Sequence, residues 1–174
     1  MKENTIYIRK EKDNHYLTYH DFKEICYIGK NGLTKAKKEG DLKTPIGEFK
    51  LGIAFGIHEK KDINIDNSFK YIKINKNLYW VDDINSKYYN MLVDITKTKK
   101  DWNSAENLLE NKIPYEYAIE IKTNPQNIPG KGIAIFLHCT TKNYTAGCIA
   151  LTKNNMQKLL QLINQETIIN IQDK

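Results

Sequence analysis

"GIAIFLHCTTKNYTAGCIALTKNNM", residues 132–156, is the stretch on which the reading of this chain turns. Gly132 to Leu137 is a continuous apolar run, the mark of a strand buried on both faces, and it delivers His138 at its end. A polar loop follows from Cys139 to Tyr144, and then Thr145-Ala146-Gly147-Cys148-Ile149-Ala150-Leu151 runs into a helix. Thr152 can cap that helix, because Met156, Leu159, Leu160 and Ile163 recur behind it at helical spacing. Glycine before the cysteine permits a sharp turn that presents the thiol, and small neighbours leave backbone N–H groups exposed.

Three chemistries fit the segment. In the first, Cys148 is a nucleophile and His138 its base, since acyl transfer needs a thiolate, an imidazole and main-chain donors for an oxyanion. A free thiol has a pKa of ~8.5, so a partner that takes its proton matters. In the second, His138, Cys139 and Cys148 hold a metal, although no fourth ligand suggests itself. In the third, a buried cysteine merely adjoins a satisfied histidine. Spacing alone leaves all three open.

The rest of the chain narrows the field. Its 174 residues suit one domain, 1–174, long enough to bury roughly two thirds of its unfolded surface. Apolar residues make up 40% and charged ones 28%, ordinary values for a soluble globular chain. No apolar run approaches the ~20 residues of a membrane span, so an integral membrane protein is not expected. The first residues, Met1 to Arg9, lack the apolar core of a secretory signal. The expected compartment is therefore the cytoplasm if Met1 is the native start. It is extracytoplasmic, at the cell wall or periplasmic side, if a leader was removed.

The net charge of +6 is carried by lysine, with Arg9 the sole arginine. The clusters around Lys37 and Lys99 are short and flanked by Glu39, Asp41, Asp94 and Asp101, unlike the dense arginine-bearing stripe of a nucleic-acid binder. An excess of lysine alongside abundant asparagine and isoleucine reads as codon bias, or as attraction to an acidic polymer. Three cysteines, Cys26, Cys139 and Cys148, cannot all pair, and neither Cys-x-x-Cys nor zinc-like histidine spacing occurs. Free thiols are expected, with no metal and no cofactor.

Short strands dominate. Ile6 to Ile8 and Tyr71 to Ile74 alternate with polar neighbours, while Tyr115, Tyr117, Ile119 and Ile121 face one way against Glu116, Ala118 and Glu120. Besides the helix after Thr152, Ser104 can cap a short one over Ala105 to Asn111, halted by Pro114, and Thr167 to Ile171 makes a last strand. Turn signals at Gly29-Lys30-Asn31-Gly32 and Thr44-Pro45-Ile46-Gly47 cut the first half into hairpin lengths. The fold expected is mainly β with accessory helices, a sandwich or barrel-like domain.

Four stretches, in order, resemble the catalytic domain of the L,D-transpeptidase (YkuD/ErfK-like) family. They are "GKNGLTKAKKEGDLKTPIGEFKLGIAFG" at 29–56 with its Thr-Pro-x-Gly turn, "YWVDDINSKYYN" at 79–90, "YEYAIEI" at 115–121 and "IFLHCTTKNYTAGCIALTKNNM" at 135–156. The resemblance implies an L,D-transpeptidase-like β-sandwich acting on peptidoglycan stem peptides. It implies Cys148 as nucleophile and His138 as general base, oriented by a backbone carbonyl, with the N–H groups of Gly147 and Cys148 as oxyanion donors. Thr145 takes the place of the first residue of the family's Ser/Thr-His-Gly-Cys motif. The family's histidine before the glycine is Ala146 here and its arginine after the cysteine is Ala150, as in a separate Thr-Ala-Gly-Cys-Ile-Ala-Leu branch. Ala150 cannot pair with a substrate carboxylate, which leaves that task to a lysine or to the tyrosine-rich segment. Tyr88, Tyr89 and Asn90 are expected along the substrate groove beside Trp80, or else as aromatic core and a capped turn. His58 reads as a surface residue, Cys139 as structural and Cys26 as core.

Overall fold

Isoleucine, tyrosine and phenylalanine recur through the chain, and these residues suit an extended, half-buried backbone. They form the strands of a computed structural model that describes residues 3–140 and 142–173. In chain order the strands are β1 (Thr5–Glu11), β2 (Asn14–Tyr19), β3 (Phe22–Cys26), β4 (Leu33–Thr34), β5 (Thr44–Pro45), β6 (Gly47–Gly56) and β7 (Tyr71–Lys73). Then come β8 (Leu78–Val81), β9 (Leu92–Asp94), β10 (Ala105–Asn107), β11 (Tyr117–Ile121), β12 (Phe136–Cys139) and β13 (Ile149–Leu151). Helix α1 (Lys153–Leu160) and β14 (Ile168–Ile171) close the chain.

One large mixed sheet runs β13-β12-β11-β6-β14-β1-β2-β3, with β7 added beside β6. Its two ends meet, because Tyr27, just past β3, exchanges both backbone hydrogen bonds with Ala150 of β13, at 2.9 and 2.8 Å. Curling the sheet onto itself leaves fewer unpaired strand edges. A three-stranded sheet, β10-β8-β9, lies apart from it. The fold is mainly β, with one α-helix among the described residues.

Alternation along the strands divides the interior in two. Ile119 and Ile121 of β11, Leu137 and Cys139 of β12, and Ile149 and Leu151 of β13 join the main core with Ile6, Ile8 and Leu17. Helix α1 adds Met156, Leu159 and Leu160 to that core. Thr152 caps it, its side chain accepting from Asn155 N, as the sequence suggests. The residues between, Ala118 and Phe136, point the other way and pack with Phe55, Trp80 and Tyr115 in a second cluster. Its rings meet edge to face, with the Phe136 centroid 4.8 Å from that of Trp80 and 5.2 Å from that of Phe55.

Three local expectations are corrected. Ala105–Asn107 is not helix but strand β10, paired antiparallel with β8, and Asn107 rather than Ser104 caps a 3-10 turn over Leu108–Asn111. So short a segment does not sustain a helical nucleus when a strand edge is on offer. The apolar run from Gly132 becomes strand only at Phe136, because Gly132 and Ala134 adopt left-handed backbone at φ of 96° and 50°. Strand β11 is buried at all five positions, so its polar alternates do not face water. Glu120 pairs there with Lys122 at 2.8 Å.

Leu137, fully buried, is expected to cost about 2–5 kcal/mol on Leu137→Ala. The cap substitution Thr152→Ala is expected to cost about 1 kcal/mol. Urea titration of both variants measures the order.

Candidate active site

Strands β12 and β13 are parallel, with His138 opposite Ala150 and Leu137 opposite Ile149. Cys148 lies two residues before Ala150, so the strand period of two places its side chain on the same face as His138. Both side chains line one cleft of about 800 Å³. Cys139 points to the opposite face, where its sulfur lies 3.6 Å from the Tyr117 carbonyl oxygen inside the main core. Burial pushes the Cys139 thiol up to about 11 and the Cys26 thiol up to about 12.

His138 Nδ1 lies 2.7 Å from the carbonyl oxygen of Cys139. A carbonyl can only accept, so the proton sits on Nδ1 and Nε2 keeps its lone pair. The Tyr115 ring meets the imidazole edge-on at 6.0 Å. Burial holds the His138 pKa below the usual histidine value, with the hydrogen bond to Cys139 acting in the other direction. The imidazole is a neutral base.

The Cys148 sulfur accepts from Phe136 N at 3.3 Å and donates to the Ala134 carbonyl at 3.3 Å. Among the described residues it makes no hydrogen bond to His138, although the two share the cleft. Burial pushes the thiol up to about 12, the Phe136 amide pulling against it. The resting pair is therefore thiol and imidazole, not thiolate and imidazolium.

Hydroxyl groups fix the turn that carries the sulfur. Thr145 Oγ1 donates to the Cys148 carbonyl at 2.6 Å and accepts from Gly147 N at 3.1 Å. Thr44, fully buried, donates from Oγ1 to the Gly147 carbonyl at 2.8 Å and accepts from Gly29 N at 2.8 Å. The Thr-Pro-x-Gly stretch thus ties the first third of the chain to the nucleophile turn. Gly147 has φ of 141°, and a Cβ there would meet the Lys43 carbonyl oxygen at 2.9 Å. Only glycine fits.

The family model described as YkuD, the L,D-transpeptidase catalytic domain, matches residues 2–171. The chain belongs to that family. Among solved structures, an L,D-transpeptidase (Yku) from Stackebrandtia nassauensis aligns at a TM-score of 0.43 and 11% identity, covering 100% of this chain and 58% of that one. This chain thus spans a little over half of that protein's length. Comparison with curated proteins gives no match.

The residues expected at the site of this family member fall into two groups. His138, Thr145 and Cys148 line the larger cleft, and Trp80 and Cys148 line a second, smaller cavity of about 330 Å³. Gly147 is buried in the turn, its N–H already engaged by Thr145. Tyr89 and Asn90, expected along the groove, stand behind the wall instead. Tyr89 is buried and its hydroxyl donates to the Glu39 carboxylate. Asn90, with φ of 58°, accepts on Oδ1 from Trp80 Nε1 at 3.1 Å and from Ala134 N at 3.0 Å. It thereby pins the segment whose carbonyl holds the Cys148 thiol. His58 pairs with Glu116 at 3.0 Å and stacks on Tyr117, away from both cavities.

Sequence reading missed Glu106, Tyr115 and Lys37. Glu106 and Tyr115 line both cavities, and the Tyr115 hydroxyl donates to Glu106 at 2.8 Å. Burial raises the Glu106 pKa, against the hydrogen bonds from Tyr115 and Asn111. Lys37 lines the smaller cavity. Among the described residues no cluster of three or more His, Cys, Asp or Glu is placed to hold a metal, and no helix is long and apolar enough to cross a membrane.

Thr44→Val is expected to lower stability by about 1–3 kcal/mol, since it strands the Gly29 amide and the Gly147 carbonyl; chemical denaturation measures it. Because the folded His138 pKa lies below the unfolded value of ~6.5, its contribution is present above that pH and is lost as pH falls. The loss of stability between pH 7 and pH 5 should accordingly be smaller in His138→Asn than in the parent, read from urea midpoints at each pH.

Proposed function

We propose that the protein is a cysteine-dependent L,D-transpeptidase that acts on the tetrapeptide stems of peptidoglycan through an acyl-enzyme. The observation that carries this reading is the placing of Cys148 and His138 on one face of a parallel strand pair, open to one cleft, in a chain of this family. A cleft of about 800 Å³ suits a peptide, and Lys112 and Lys142 on its rim suit one that bears carboxylates.

In the reaction proposed, the Cys148 proton passes to His138 Nε2 as sulfur attacks the carbonyl carbon of the third stem residue, a diamino acid, at its L-centre. The carbonyl π pair moves onto oxygen. When the pair returns, the bond to the terminal D-alanine breaks and His138 gives its proton to the departing amine. A thioester to Cys148 remains. An amine from a second stem resolves it into a cross-link between third residues, and water resolves it into a tripeptide, which is L,D-carboxypeptidase chemistry. The proposal includes work on the wall polymer, on the outer side of the cytoplasmic membrane.

Incubation with a disaccharide tetrapeptide, followed by mass spectrometry, tests the reading. D-Alanine release with tripeptide or dimer is expected, and Cys148→Ala should abolish both. Turnover that survives that substitution would refute the assignment.

A further inference from the structure

The smaller cavity beside Cys148 is lined by three carboxylates, those of Glu39, Asp82 and Glu106, and by a single cation, Lys37. The lysine side chain is only 10% exposed. Among the described residues the hydrogen-bond partner of its Nζ is Asp41, at 2.5 Å, which leaves two of its three donors without a protein acceptor. Buried ammonium groups are costly unless their donors are used.

Two glycines hold Lys37 where it is. Its stem lies against Gly132, where a Cβ would come within 2.8 Å of Lys37 Cγ, and its head reaches Gly147, where a Cβ would stand 3.2 Å from Nζ. Both glycines have left-handed backbone, at φ of 96° and 141°. The ammonium thus sits over the residue that precedes the nucleophile, pinned from behind by Asp41.

Of the turn's two expected oxyanion donors, the N–H groups of Gly147 and Cys148, one is already used. The Gly147 N–H, the donor that would otherwise face an oxyanion, is spent on Thr145 Oγ1. Where an arginine could follow the cysteine, Ala150 is fully buried, its backbone bonded on both sides to Tyr27. Lys37 reaches the turn instead from a distant part of the chain, beside the sulfur.

We propose that Lys37 is a further catalytic residue, whose ammonium stabilises the negative charge that develops at the Cys148 turn, on sulfur in the thiolate and then on oxygen in the tetrahedral adduct. The proposal rests on the acyl-enzyme reading given above. Lys37 keeps its proton throughout: it donates to the charge while His138 moves the proton. Of the groups facing Cys148, Glu106 opposes ionisation of the thiol and Lys37 favours it. Asp41 anchors the lysine, and Glu39 is occupied by Tyr89 and by Gly130 N.

Lys37→Met and Lys37→Arg separate the possibilities. With the tetrapeptide, Lys37→Met is expected to lower kcat about 10²-fold, as loss of an oxyanion donor does, with KM little changed. Lys37→Arg should restore most of the rate. Alkylation of Cys148 by iodoacetamide at pH 9 needs no substrate, and it should slow about tenfold in Lys37→Met, as for a rise of about one pKa unit. Mass mapping of the modified cysteine and a thermal melt of each variant keep the comparison to folded protein and to Cys148. A change confined to KM that vanishes with a donor lacking its terminal carboxylate would make Lys37 a substrate clamp and overturn the proposal. Unchanged alkylation would overturn it as well. If the parent protein fails to turn over the tetrapeptide while the alkylation difference persists, the substrate assignment falls and the role of Lys37 stands.

Discussion

The placing of Cys148 beside His138 depends on the parallel pairing of β12 with β13. Parallel neighbours place paired residues side by side with their side chains on one face, so His138 opposite Ala150 fixes where Cys148 points. A slip of one residue would turn the sulfur into the main core, where Cys139 already sits. The register resists that slip because Leu137, Ile149 and Leu151 on the opposite face are fully buried. Hydrophobic burial therefore sets the chemistry: the side that packs the core decides which side meets the cleft.

A short parallel strand cannot aim a nucleophile alone, and the turn before β13 is held by hydroxyls. Thr145 and Thr44 between them satisfy the carbonyls of Gly147 and Cys148. The closing pair Tyr27–Ala150 locks β13 from its other edge. Segments from the first third and the last part of the chain thus converge on the backbone of Gly147, Cys148 and Ala150. Loop closure over such separations is entropically costly, and it is repaid by groups that would otherwise be buried without partners.

Much of this was legible in the sequence, and the gaps have physical causes. Strand β1 and the cap at Thr152 follow from periodicity and residue chemistry, whereas the meeting of His138 with the glycine–cysteine turn was left open by spacing and came from the family resemblance. The segment 105–107 was not legible as strand, because its pairing with β8 is a tertiary event that local propensity does not encode. Glu106 was lost with it. Tyr89 and Asn90 looked like groove residues because they are polar and aromatic beside Trp80; the same features let them brace the wall from behind through Glu39 and Ala134. Lys37 lay in a lysine cluster that composition marks as solvated surface. Its spacing of four from Asp41, across Gly40, was the available signal of an anchored side chain.

The resting geometry also bears on how the proposed reaction would begin. The Cys148 S–H donates its hydrogen bond to the Ala134 carbonyl, not to His138, and three carboxylates line the smaller cavity beside it. A hydrogen bond from a thiol is weak, so turning the S–H toward the imidazole costs little. Ionising the sulfur costs more, because its apolar surroundings push the thiol up to about 12. His138 is held neutral by its own burial, so base and nucleophile are matched in charge state though far apart in acidity. In the proposed reaction, proton transfer from Cys148 to His138 is uphill until bond formation to carbon draws the charge from sulfur onto an oxygen that donors can reach. A half-buried thiol kept protonated until a substrate fills the cleft, as the proposed reaction has it, is also protected from oxidants and adventitious electrophiles, since both react with the thiolate.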